Sequence, residues 1–454
     1  MKNFIINKRK NKTSRIFLVL ISTIVILNFL SVSTYGETNM KELDSIPTWS
    51  VLETKEIYNN TINSRSNNII ETSGEVAQNN ELTENELTEK NNTLNLTSGG
   101  AVLIEQNSGT VLYDYKMHEK LRPASVTKVM SLLLIMEALD SNQISLNDKV
   151  PCTEDAAKMG GSQIWLDERE ELTVDEMIKA ICVVSANDCT VAMADYIAGT
   201  QDAFVEKMNA KAKELGMNDT TFKNCHGIDE DGHLTSAYDI ALMSRELLTK
   251  HPRIMDYTTI YMDSLRDGKS QLVNTNKLIR NYSGATGLKT GSTSEALFNL
   301  SASATRNDLS LIAVIMRGET SKIRFSEASK LLNYGFSNFE YKKLATKGAE
   351  VGMCKVSKGI KTETPACYES DFGVVLNKKN SKNITESIEI YKNISAPIIA
   401  GSKVGEVTYK NEEGNIIGKV NLASEEDVEK YGFGTMSKKI YTNWVSLLRV
   451  WFDQ

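Results

Sequence analysis

Three short polar motifs follow one another in the sequence, and each carries side chains that can take part in acyl transfer. In the first, Ser125 and Lys128 are three residues apart, a spacing that places both side chains on one face of a helix. An amine held near a serine hydroxyl can act as the base that makes the hydroxyl a nucleophile, provided that burial or a second cation keeps it neutral. Because Pro123 marks the first helical turn, Ser125 is expected near unpaired backbone N–H groups that suit an oxyanion.

The other two motifs add a second serine, an amide and a second lysine. Residues 185–187, Ser-Ala-Asn, follow an apolar run at 181–184 and precede a predicted helix. Residues 289–291, Lys-Thr-Gly, follow the small residues of 284–288. A strand of small residues that ends in glycine lets a ligand backbone approach closely. The lysine of this third motif would then supply a fixed cation for a carboxylate.

Each motif taken alone has an ordinary structural explanation. The first could be the start of an amphipathic helix, the second a helix N-cap, and the third an exposed lysine before a turn. Together, however, they match the order and separations of the S-x-x-K, S-x-N and K-T-G set of penicillin-recognising acyl enzymes. The combination of the three, rather than any one of them, predicts a serine acyl-transfer site.

The elements predicted around the motifs give an α+β fold. Strands at 101–104 and 111–113 flank a tight turn at 107–109 and form a β-hairpin. A long apolar helix covers 123–139. Further helices are predicted at 173–184, 189–198, 202–215, 236–249 and 321–333, and further strands at 297–304 and 309–316. Strands at both ends of a helical middle indicate an antiparallel sheet with helices packed on it, and the glycine-rich, alternating sequence after about Phe339 predicts a small all-β domain.

The N-terminus has the layout of a secretory signal. Six basic residues lie within 1–15, an apolar stretch covers 16–30, and small residues precede a possible cut after Gly36. An uncleaved membrane anchor is the alternative, although the stretch is shorter than the roughly 20 residues of a spanning helix. Either way we expect the rest of the chain to be exported, to the outer face of the cell membrane or the cell wall. The net charge of -6, or -12 without the six cations, does not suggest a nucleic-acid partner.

The C-terminal residues 437–454 predict an amphipathic helix. Its apolar face includes Trp444, Trp451 and Phe452, with cations nearby, a pattern typical of a helix that lies in a membrane interface. A helix packed on the β-domain is the alternative. Residues 37–96, in contrast, are polar and poor in aromatic side chains, so they predict disorder. The predicted division of the chain is a signal peptide at 1–36, a disordered polar spacer at 37–96, a catalytic domain at 97–339, a β-domain at 340–432 and a membrane-associating helix at 433–454.

The six cysteines of the chain do not form a pattern that requires disulfides or metal. Cys354 and Cys367 flank a predicted hairpin turn at 358–359, so a cross-strand disulfide between them is geometrically possible. No CxxC pair and no Cys/His group has the spacing of a zinc site. We expect the remaining cysteines to be buried free thiols: Cys152, Cys182, Cys189 and Cys225.

The sequence resembles the low-molecular-mass D-alanyl-D-alanine carboxypeptidases, the serine peptidases also called penicillin-binding proteins. The likeness covers about residues 98–454, including the β-domain, and departs from the family at Ala186, where glycine is usual. Besides the three motifs it rests on short matching segments at 123–128, 160–162, 187–188, 226–227, 236–239, 287–291, 395–398 and 401–405. The resemblance implies a penicillin-binding, β-lactamase-like α+β domain followed by a small all-β domain.

The resemblance also implies a role for each residue that performs acyl transfer. Ser125 would attack the carbonyl between two D-alanines and form an acyl-enzyme, and Lys128 would accept its proton. Ser185 would relay a proton to the leaving amine. The backbone N–H groups of Ser125 and Ser292 would form the oxyanion hole. No metal and no organic cofactor is implied.

A second group of residues would hold the substrate, a peptidoglycan stem peptide that ends in D-Ala-D-Ala. Asn187 would position the substrate amide, and Lys289 with Thr290 would bind the terminal carboxylate. Gly291 would allow the close approach, and Arg324, at an arginine position of the family, would add positive potential. β-Lactams would act as covalent inhibitors at the same site.

Other enzyme classes fit the sequence less well. A serine β-lactamase of the common class would carry a Glu-x-x-Leu-Asn loop, but residues 220–224 contain no glutamate. A zinc peptidase would need the cluster of His226, Asp229, Glu230, Asp231 and His233 as ligands, whereas an acidic surface turn explains the same residues. A Ser-His-Asp hydrolase would need a Gly-x-Ser-x-Gly elbow, which the sequence lacks. A scaffold without activity is disfavoured because all three motifs are intact.

Overall fold

The computed structural model describes residues 92–379 and 383–432, together with positions 434, 437, 441, 444 and 445. The predicted signal peptide and most of the predicted spacer and tail helix therefore lie outside the described residues. Contacts group residues 81–454 into one compact unit, which contains the sites of all three motifs.

The described chain begins with two strands, is mainly helical in its middle and ends in a series of strands. The strands are β1 (Gly100–Glu105), β2 (Val111–Tyr115), β3 (Lys149–Pro151), β4 (Glu171–Thr173), β5 (Met262–Leu265), β6 (Ser270–Val273), β7 (Ala285–Thr293), β8 (Leu297–Arg306), β9 (Leu309–Gly318), β10 (Phe339–Ala345), β11 (Glu350–Ser357), β12 (Glu363–Tyr368), β13 (Phe372–Asn377), β14 (Thr385–Ile390), β15 (Ile394–Ser395), β16 (Lys403–Lys410) and β17 (Ile416–Ser424). The α-helices are α1 (Lys128–Asp140), α2 (Glu154–Ala157), α3 (Val174–Val184), α4 (Asn187–Ala198), α5 (Gln201–Glu214), α6 (Ala237–Lys250), α7 (Met255–Thr258), α8 (Leu278–Asn281) and α9 (Ser321–Asn338). Two 3-10 turns lie at Ala124–Thr127 and Pro252–Ile254.

The predicted hairpin opens a five-stranded antiparallel sheet. Its strand order is β2-β1-β9-β8-β7, which places β7 at one edge. Side chains along β1 alternate between the faces of the sheet, so that Ala101 and Leu103 belong to one apolar cluster while Val102 and Ile104 belong to another. Since every residue of β1 is buried, both faces of the sheet must be covered.

Helices cover the two faces, as the α+β prediction requires. On one face, α9 contributes Ala328, Leu331 and Leu332 to the cluster below the sheet. On the other face, α1, α3, α4 and α6 share one large apolar cluster. Helix α1 is buried on all sides from Lys128 to Met136, which is typical of a helix in the centre of a core. The lysine of the first motif therefore lies inside the protein.

The C-terminal part forms the predicted all-β domain. Six strands form a sheet in the order β14-β16-β17-β12-β11-β15, and β10 pairs separately with β13. A small core of its own includes Val404, Val407 and Leu422. β10 begins at Phe339, directly after the end of α9 at Asn338, so the change of character seen in the sequence coincides with the change from helix to strand.

The cross-strand disulfide that the sequence allowed is not formed. Hairpin β11–β12 exists as predicted, but its register places Cys354 opposite Thr364 and Cys367 opposite Glu350. The three-residue offset along β12 adds roughly 10 Å, which exceeds the reach of a disulfide. All six cysteines are free and buried, as expected for the other four.

The structure also differs from the prediction at the end of the polar spacer. Leu96 is 3% exposed and belongs to the apolar cluster below the sheet. Next to it, the Thr97 N–H and hydroxyl both donate to Glu327 Oε1 at 2.6 and 2.8 Å, and Lys330 Nζ donates to the Leu94 carbonyl at 2.9 Å. Residues 92–96 are therefore ordered against α9, because they satisfy polar groups that this helix presents.

Candidate active site

Ser125 lies in a 3-10 turn, not in the first turn of the α-helix that its motif predicted. The turn covers Ala124–Thr127, and α1 begins only at Lys128. Pro123 precedes the turn, and its carbonyl accepts the Val126 N–H at 3.3 Å. The other three residues of the turn are buried while Ser125 is partly exposed. Ser125 is therefore the residue of this turn that a substrate can reach.

Lys128 is a fully buried lysine whose terminal nitrogen contacts three oxygens. Nζ lies 3.1 Å from Ser125 Oγ, 2.6 Å from Asn187 Oδ1 and 2.6 Å from the His226 carbonyl oxygen. The side chain is 0% exposed, so no water competes for these contacts. The S-x-x-K spacing thus brings hydroxyl and amine together even though the serine precedes the helix.

Burial favours the neutral form of both lysines in the motifs. It lowers the pKa of Lys128 well below its usual value, and the nearby charge of Lys289 lowers that pKa further. Burial also lowers the pKa of Lys289, to about 7, and the charge of Arg324 acts in the same direction. Because the charge of Lys289 disfavours a second ammonium group at Lys128, the site favours one neutral and one charged lysine.

Asn187 connects the second motif to the first. Its Nδ2 donates to the Gly160 carbonyl at 2.7 Å, and its backbone N–H donates to the Ser162 carbonyl at 2.7 Å. These bonds orient the amide so that Oδ1 accepts from Lys128. The next residue, Asp188, is buried, and its Oδ2 accepts the N–H groups of residues 164 and 166 at 3.0 and 3.1 Å. The 160–166 loop is therefore fixed beside the amide.

The third motif lies on β7, the edge strand of the sheet. Lys289 is 1% exposed, so the explanation of the motif as an exposed lysine before a turn is wrong. Within the described part of the chain, Nζ has one hydrogen-bond partner, the Thr290 carbonyl at 3.1 Å. The Thr290 hydroxyl donates to Thr275 Oγ1 at 2.7 Å. Because an ammonium group has three donors, Lys289 retains donors for a bound carboxylate.

Gly291 brings β7 against the turn that carries Ser125. A Cβ at position 291 would lie 2.8 Å from the Pro123 carbonyl oxygen and 2.9 Å from the Ser125 nitrogen, so a larger residue would force the strand and the turn apart. The following residue, Ser292, is exposed. The backbones of Ser125 and Ser292 therefore border the same contact between turn and strand.

Arg324 supports this contact from α9. Its Nη1 donates to the carbonyls of Gly291 and Asn299 at 3.0 and 3.3 Å. The guanidinium carbon lies 5.3 and 4.8 Å from the ring centroids of Phe298 and Phe325, an arrangement in which cation–π attraction stabilises the charge. Burial lowers the pKa of Arg324 to about 10, so the side chain is a cation at neutral pH and adds positive potential at Lys289.

Ser185 caps the C-terminal end of α3 in a left-handed conformation with φ 65°. Its side chain is 3% exposed, and its hydroxyl has no hydrogen-bond partner within the described residues. The N-cap explanation of this motif is wrong, since the N-cap of α4 is Ala186 and no side chain caps that helix. A buried hydroxyl without a partner is costly, and left-handed non-glycine residues cluster at functional sites. Both features fit a hydroxyl that is available to a bound substrate.

The loop that precedes α6 supplies a part of the site that the sequence did not predict. The carbonyl of His226 is one of the three oxygens around Lys128 Nζ, and a backbone carbonyl has no signature in the sequence. His233, from the same loop, uses both ring nitrogens for hydrogen bonds within the protein. Within the described residues, no group of three or more His, Cys, Asp or Glu side chains is arranged to hold a metal ion.

Comparison with known proteins places this site in a family. Residues 85–320 match the family model described as "D-alanyl-D-alanine carboxypeptidase", and residues 339–430 match "Penicillin-binding protein 5, C-terminal domain". The D-alanyl-D-alanine carboxypeptidase DacF of Bacillus subtilis is 44% identical over 348 residues, which cover 76% of this chain and 89% of that protein.

Solved structures give the same result. Penicillin binding protein 5 from Haemophilus influenzae is 32% identical and superimposes with a TM-score of 0.64. The alignment covers 74% of this chain and 98% of the other. Penicillin-Binding Protein D2 from Listeria monocytogenes, in its ampicillin-bound form, is 29% identical and superimposes with a TM-score of 0.50. That alignment covers 54% of this chain and 99% of the other. The chain belongs to the D-alanyl-D-alanine carboxypeptidase family of penicillin-binding serine peptidases.

Proposed function

We propose that the protein removes the terminal D-alanine of peptidoglycan pentapeptides through an acyl-enzyme on Ser125. The observation that carries this proposal is the contact of 3.1 Å between Lys128 Nζ and Ser125 Oγ, in a site where burial lowers the pKa of Lys128. A serine needs an adjacent base to act as a nucleophile. The position and the lowered pKa of Lys128 make it suitable as that base.

The reaction proceeds in two displacements. Ser125 Oγ attacks the carbonyl carbon between the two D-alanines while Lys128 accepts the hydroxyl proton. The carbon–nitrogen bond then breaks, the leaving amine receives a proton through Ser185, and free D-alanine departs. Water attacks the ester that remains, which releases the shortened peptide and returns a proton to Ser125 Oγ.

The contacts of Lys128 orient its lone pair. A neutral amine has two N–H groups and one lone pair. The two contacts of 2.6 Å, to Asn187 Oδ1 and the His226 carbonyl, accept the two N–H groups. The lone pair then points to the third neighbour, Ser125 Oγ. The base is therefore held in the geometry in which it can accept the proton.

The substrate is held at both sides of the scissile bond. Lys289 and Thr290 bind the terminal carboxylate, and the charge of Arg324 reinforces the positive potential there. Asn187 positions the amide that precedes the bond. The N–H groups of Ser125 and Ser292 stabilise the oxyanion, and Gly291 permits the required closeness of turn and strand. β-Lactams acylate the same serine, in keeping with the ampicillin-bound relative.

Two assays test the proposal. The purified protein is labelled with a fluorescent penicillin, and release of D-alanine is measured from a peptide that ends in D-Ala-D-Ala. We expect a label on the tryptic peptide that contains Ser125 and stoichiometric D-alanine in the second assay. Labelling elsewhere, or no release from such a peptide, would contradict the assignment.

We further propose that the enzyme is exported by the signal peptide at 1–36 and held on the outer face of the membrane by the helix at 433–454. Support comes from the sequence pattern and from the described positions of the tail, which are helical. Tyr441 and Trp444 are 60% and 56% exposed, and residues three apart share a helix face. Within the described residues, no helix is both long and apolar enough to cross a membrane.

Cell fractionation tests this attachment. A chain truncated after Gly434 is expected to retain penicillin binding but to move from the membrane to the soluble fraction. A full-length Tyr441→Ser, Trp444→Ser variant should move in the same way if these side chains enter the interface. Continued membrane association of the truncated chain would indicate an uncleaved N-terminal segment, and loss of folding would indicate a helix packed on the β-domain.

A further inference from the structure

The loop at 221–235 lies directly on the turn that carries Ser125. Isolated bridges pair Thr221 with Leu234 and Thr235 with Leu121 at the base of the loop. At its centre, Gly227 adopts φ 92°, and a Cβ there would lie 1.9 Å from the Ala124 carbonyl oxygen. Loop and turn therefore meet backbone to backbone, so a small displacement of one displaces the other.

His233 connects the two segments through both nitrogens of its ring. Nδ1 accepts the Lys223 N–H at 3.0 Å, so in the neutral ring the proton is on Nε2. Nε2 lies 2.8 Å from the Thr127 hydroxyl oxygen and donates to it. The imidazole is 2% exposed and packs edge-on against Phe222, with ring centroids 5.8 Å apart. Loop, imidazole and serine turn are thus linked by two directional bonds in a dry environment.

The same loop supplies the His226 carbonyl that accepts a hydrogen bond from Lys128 Nζ at 2.6 Å. Thr127 is the last residue of the serine turn and directly precedes Lys128. The bond from His233 to Thr127 therefore fixes the distance between the loop that carries this carbonyl and the backbone that carries the amine. If the loop moved away, the amine would lose one of the two acceptors that direct its lone pair to Ser125.

We infer that His233 is a positioning residue for acylation: it holds the His226 carbonyl against Lys128 by linking the loop to Thr127. The inference rests on the proposed roles of Ser125 and Lys128. His233 does not touch the substrate and exchanges no proton with it. Its removal should therefore slow the chemical step while it leaves the binding of the substrate carboxylate nearly unchanged.

Rapid-mixing kinetics with a fluorescent penicillin separate the two effects. For His233→Ala we expect an acylation rate constant lower by about 10- to 100-fold, the size expected for a base misplaced by a fraction of an ångström to 1 Å. The dissociation constant of the non-covalent complex should change by less than about 3-fold. With the peptide substrate, kcat should fall in the same proportion and KM should not.

Two further variants test the hydrogen bonds themselves. His233→Gln can donate from Nε2 and accept at Oε1, so it should recover most of the acylation rate. Thr127→Val removes the acceptor on the other side of the same bond. The effects of Thr127→Val and His233→Ala on the acylation rate should be strongly non-additive, because residues that act through one contact show coupling in a double-mutant cycle.

His251→Ala serves as the matched control. His251 is also buried, and its Nδ1 bonds to Asp140 at the far end of α1, so its loss removes a comparable histidine contact without touching the serine turn. It should affect thermal stability but not the acylation rate constant. A wild-type acylation rate in His233→Ala, an effect confined to KM, or equal effects of His233→Ala and His251→Ala would overturn the inference.

The proposed function fails separately from this inference. If Ser125→Ala were still labelled by penicillin, the nucleophile would be wrong and His233 would have no role to support. If Ser125→Ala lost its label but His233→Ala reacted at the wild-type rate, only the positioning role would be wrong. Should His233→Ala not fold, a wild-type acylation rate in Thr127→Val would still refute the linkage, because that variant removes the other partner of the same hydrogen bond.

Discussion

Lys128 Nζ and Asn187 Oδ1 lie 2.6 Å apart, although 59 positions separate the two residues in the chain. Both side chains are buried, and Gly160 fixes the orientation of the amide from its other end. A neutral acceptor therefore faces a lysine that is most useful when it is neutral. The charge of the side chain at position 187 should therefore control the pKa of Lys128.

Asn187→Asp is expected to raise the pKa of Lys128. A carboxylate at this distance favours the ammonium form, so more alkaline conditions are needed to produce the neutral amine. The acylation rate at neutral pH should fall, and the midpoint of its rise with pH should shift upward by at least one unit. The measurement is the pH profile of acylation by penicillin.

Asn187→Ala provides the comparison for that profile. It also removes the hydrogen bond and lowers the rate, but it adds no charge, so its midpoint should not move upward with that of Asn187→Asp. If both variants shifted the midpoint equally, the effect would come from lost geometry and the electrostatic explanation would be wrong.

The decline of activity at alkaline pH is expected to follow Lys289. Burial lowers the pKa of Lys289 to about 7, and only the ammonium form attracts a carboxylate. The value of kcat/KM for the peptide should therefore fall as pH rises above about 7. In Lys289→Arg this decline should shift to a higher pH, because a guanidinium stays protonated there.

Lys289→Ala should lose the alkaline decline together with most of the activity. Loss of one partner of a desolvated ion pair costs about 2–5 kcal/mol, which corresponds to roughly 30- to 4000-fold in kcat/KM. Wild-type efficiency in Lys289→Ala would exclude the carboxylate role. If kcat/KM of Lys289→Arg declined at the same alkaline pH as that of the wild type, a group other than Lys289 would be responsible for the decline.

Ser125→Ala is expected to abolish both penicillin labelling and release of D-alanine. The Ser125 hydroxyl lies next to the Lys128 amine, and alanine has no hydroxyl that could act as a nucleophile. Gel fluorescence and mass spectrometry of the intact protein measure the label. Ser329→Ala, which removes a hydroxyl that donates to the Phe325 carbonyl on α9, should label as the wild type does.

Stability should decrease in mild acid because of two buried histidines. Burial lowers the pKa of His226 to about 3 and that of His233 to about 4, from an ordinary value of 6.5. Below pH 6.5 the unfolded chain binds protons that the folded chain does not, so the free energy of unfolding falls as pH decreases toward 4. For His233 alone, the change from 6.5 to about 4 corresponds to about 3 kcal/mol.

Urea unfolding between pH 4 and 7 measures this slope. His233→Gln should flatten it, since the amide does not titrate, whereas His118→Gln, which replaces a histidine with a half-exposed side chain, should leave it largely intact. An unchanged slope in His233→Gln would show that other groups are responsible for the loss of stability in acid.

The sequence predicted much of this molecule because the relevant signals are local. The hairpin of β1 and β2 follows from alternating apolar residues around a turn, and the meeting of Ser125 and Lys128 follows from a spacing of three. The length and burial of α1 follow from its apolar run. Each of these patterns lies within about 20 consecutive residues, where periodicity determines which side chains share a face.

Features that depend on tertiary contacts could not be predicted in the same way. The 3-10 turn at Ser125 packs against Gly291, far along the chain, and the register of β11 and β12 separates the two cysteines that flank the hairpin turn. The link between His233 and Thr127 joins residues 106 positions apart. None of these contacts leaves a pattern in the neighbouring sequence.

The position of β7 at the edge of the sheet has a consequence for which part of a peptide can react. An exposed edge allows another extended chain to add to the sheet. Here the edge strand is buried from Gly287 to Gly291 and becomes exposed at Ser292, so a peptide that adds to this edge would enter from the Ser292 side and would have its end near the buried Lys289. Under the proposed function this arrangement would select a chain terminus with its free carboxylate, because the middle of a continuous chain would have to extend past the buried part of the strand.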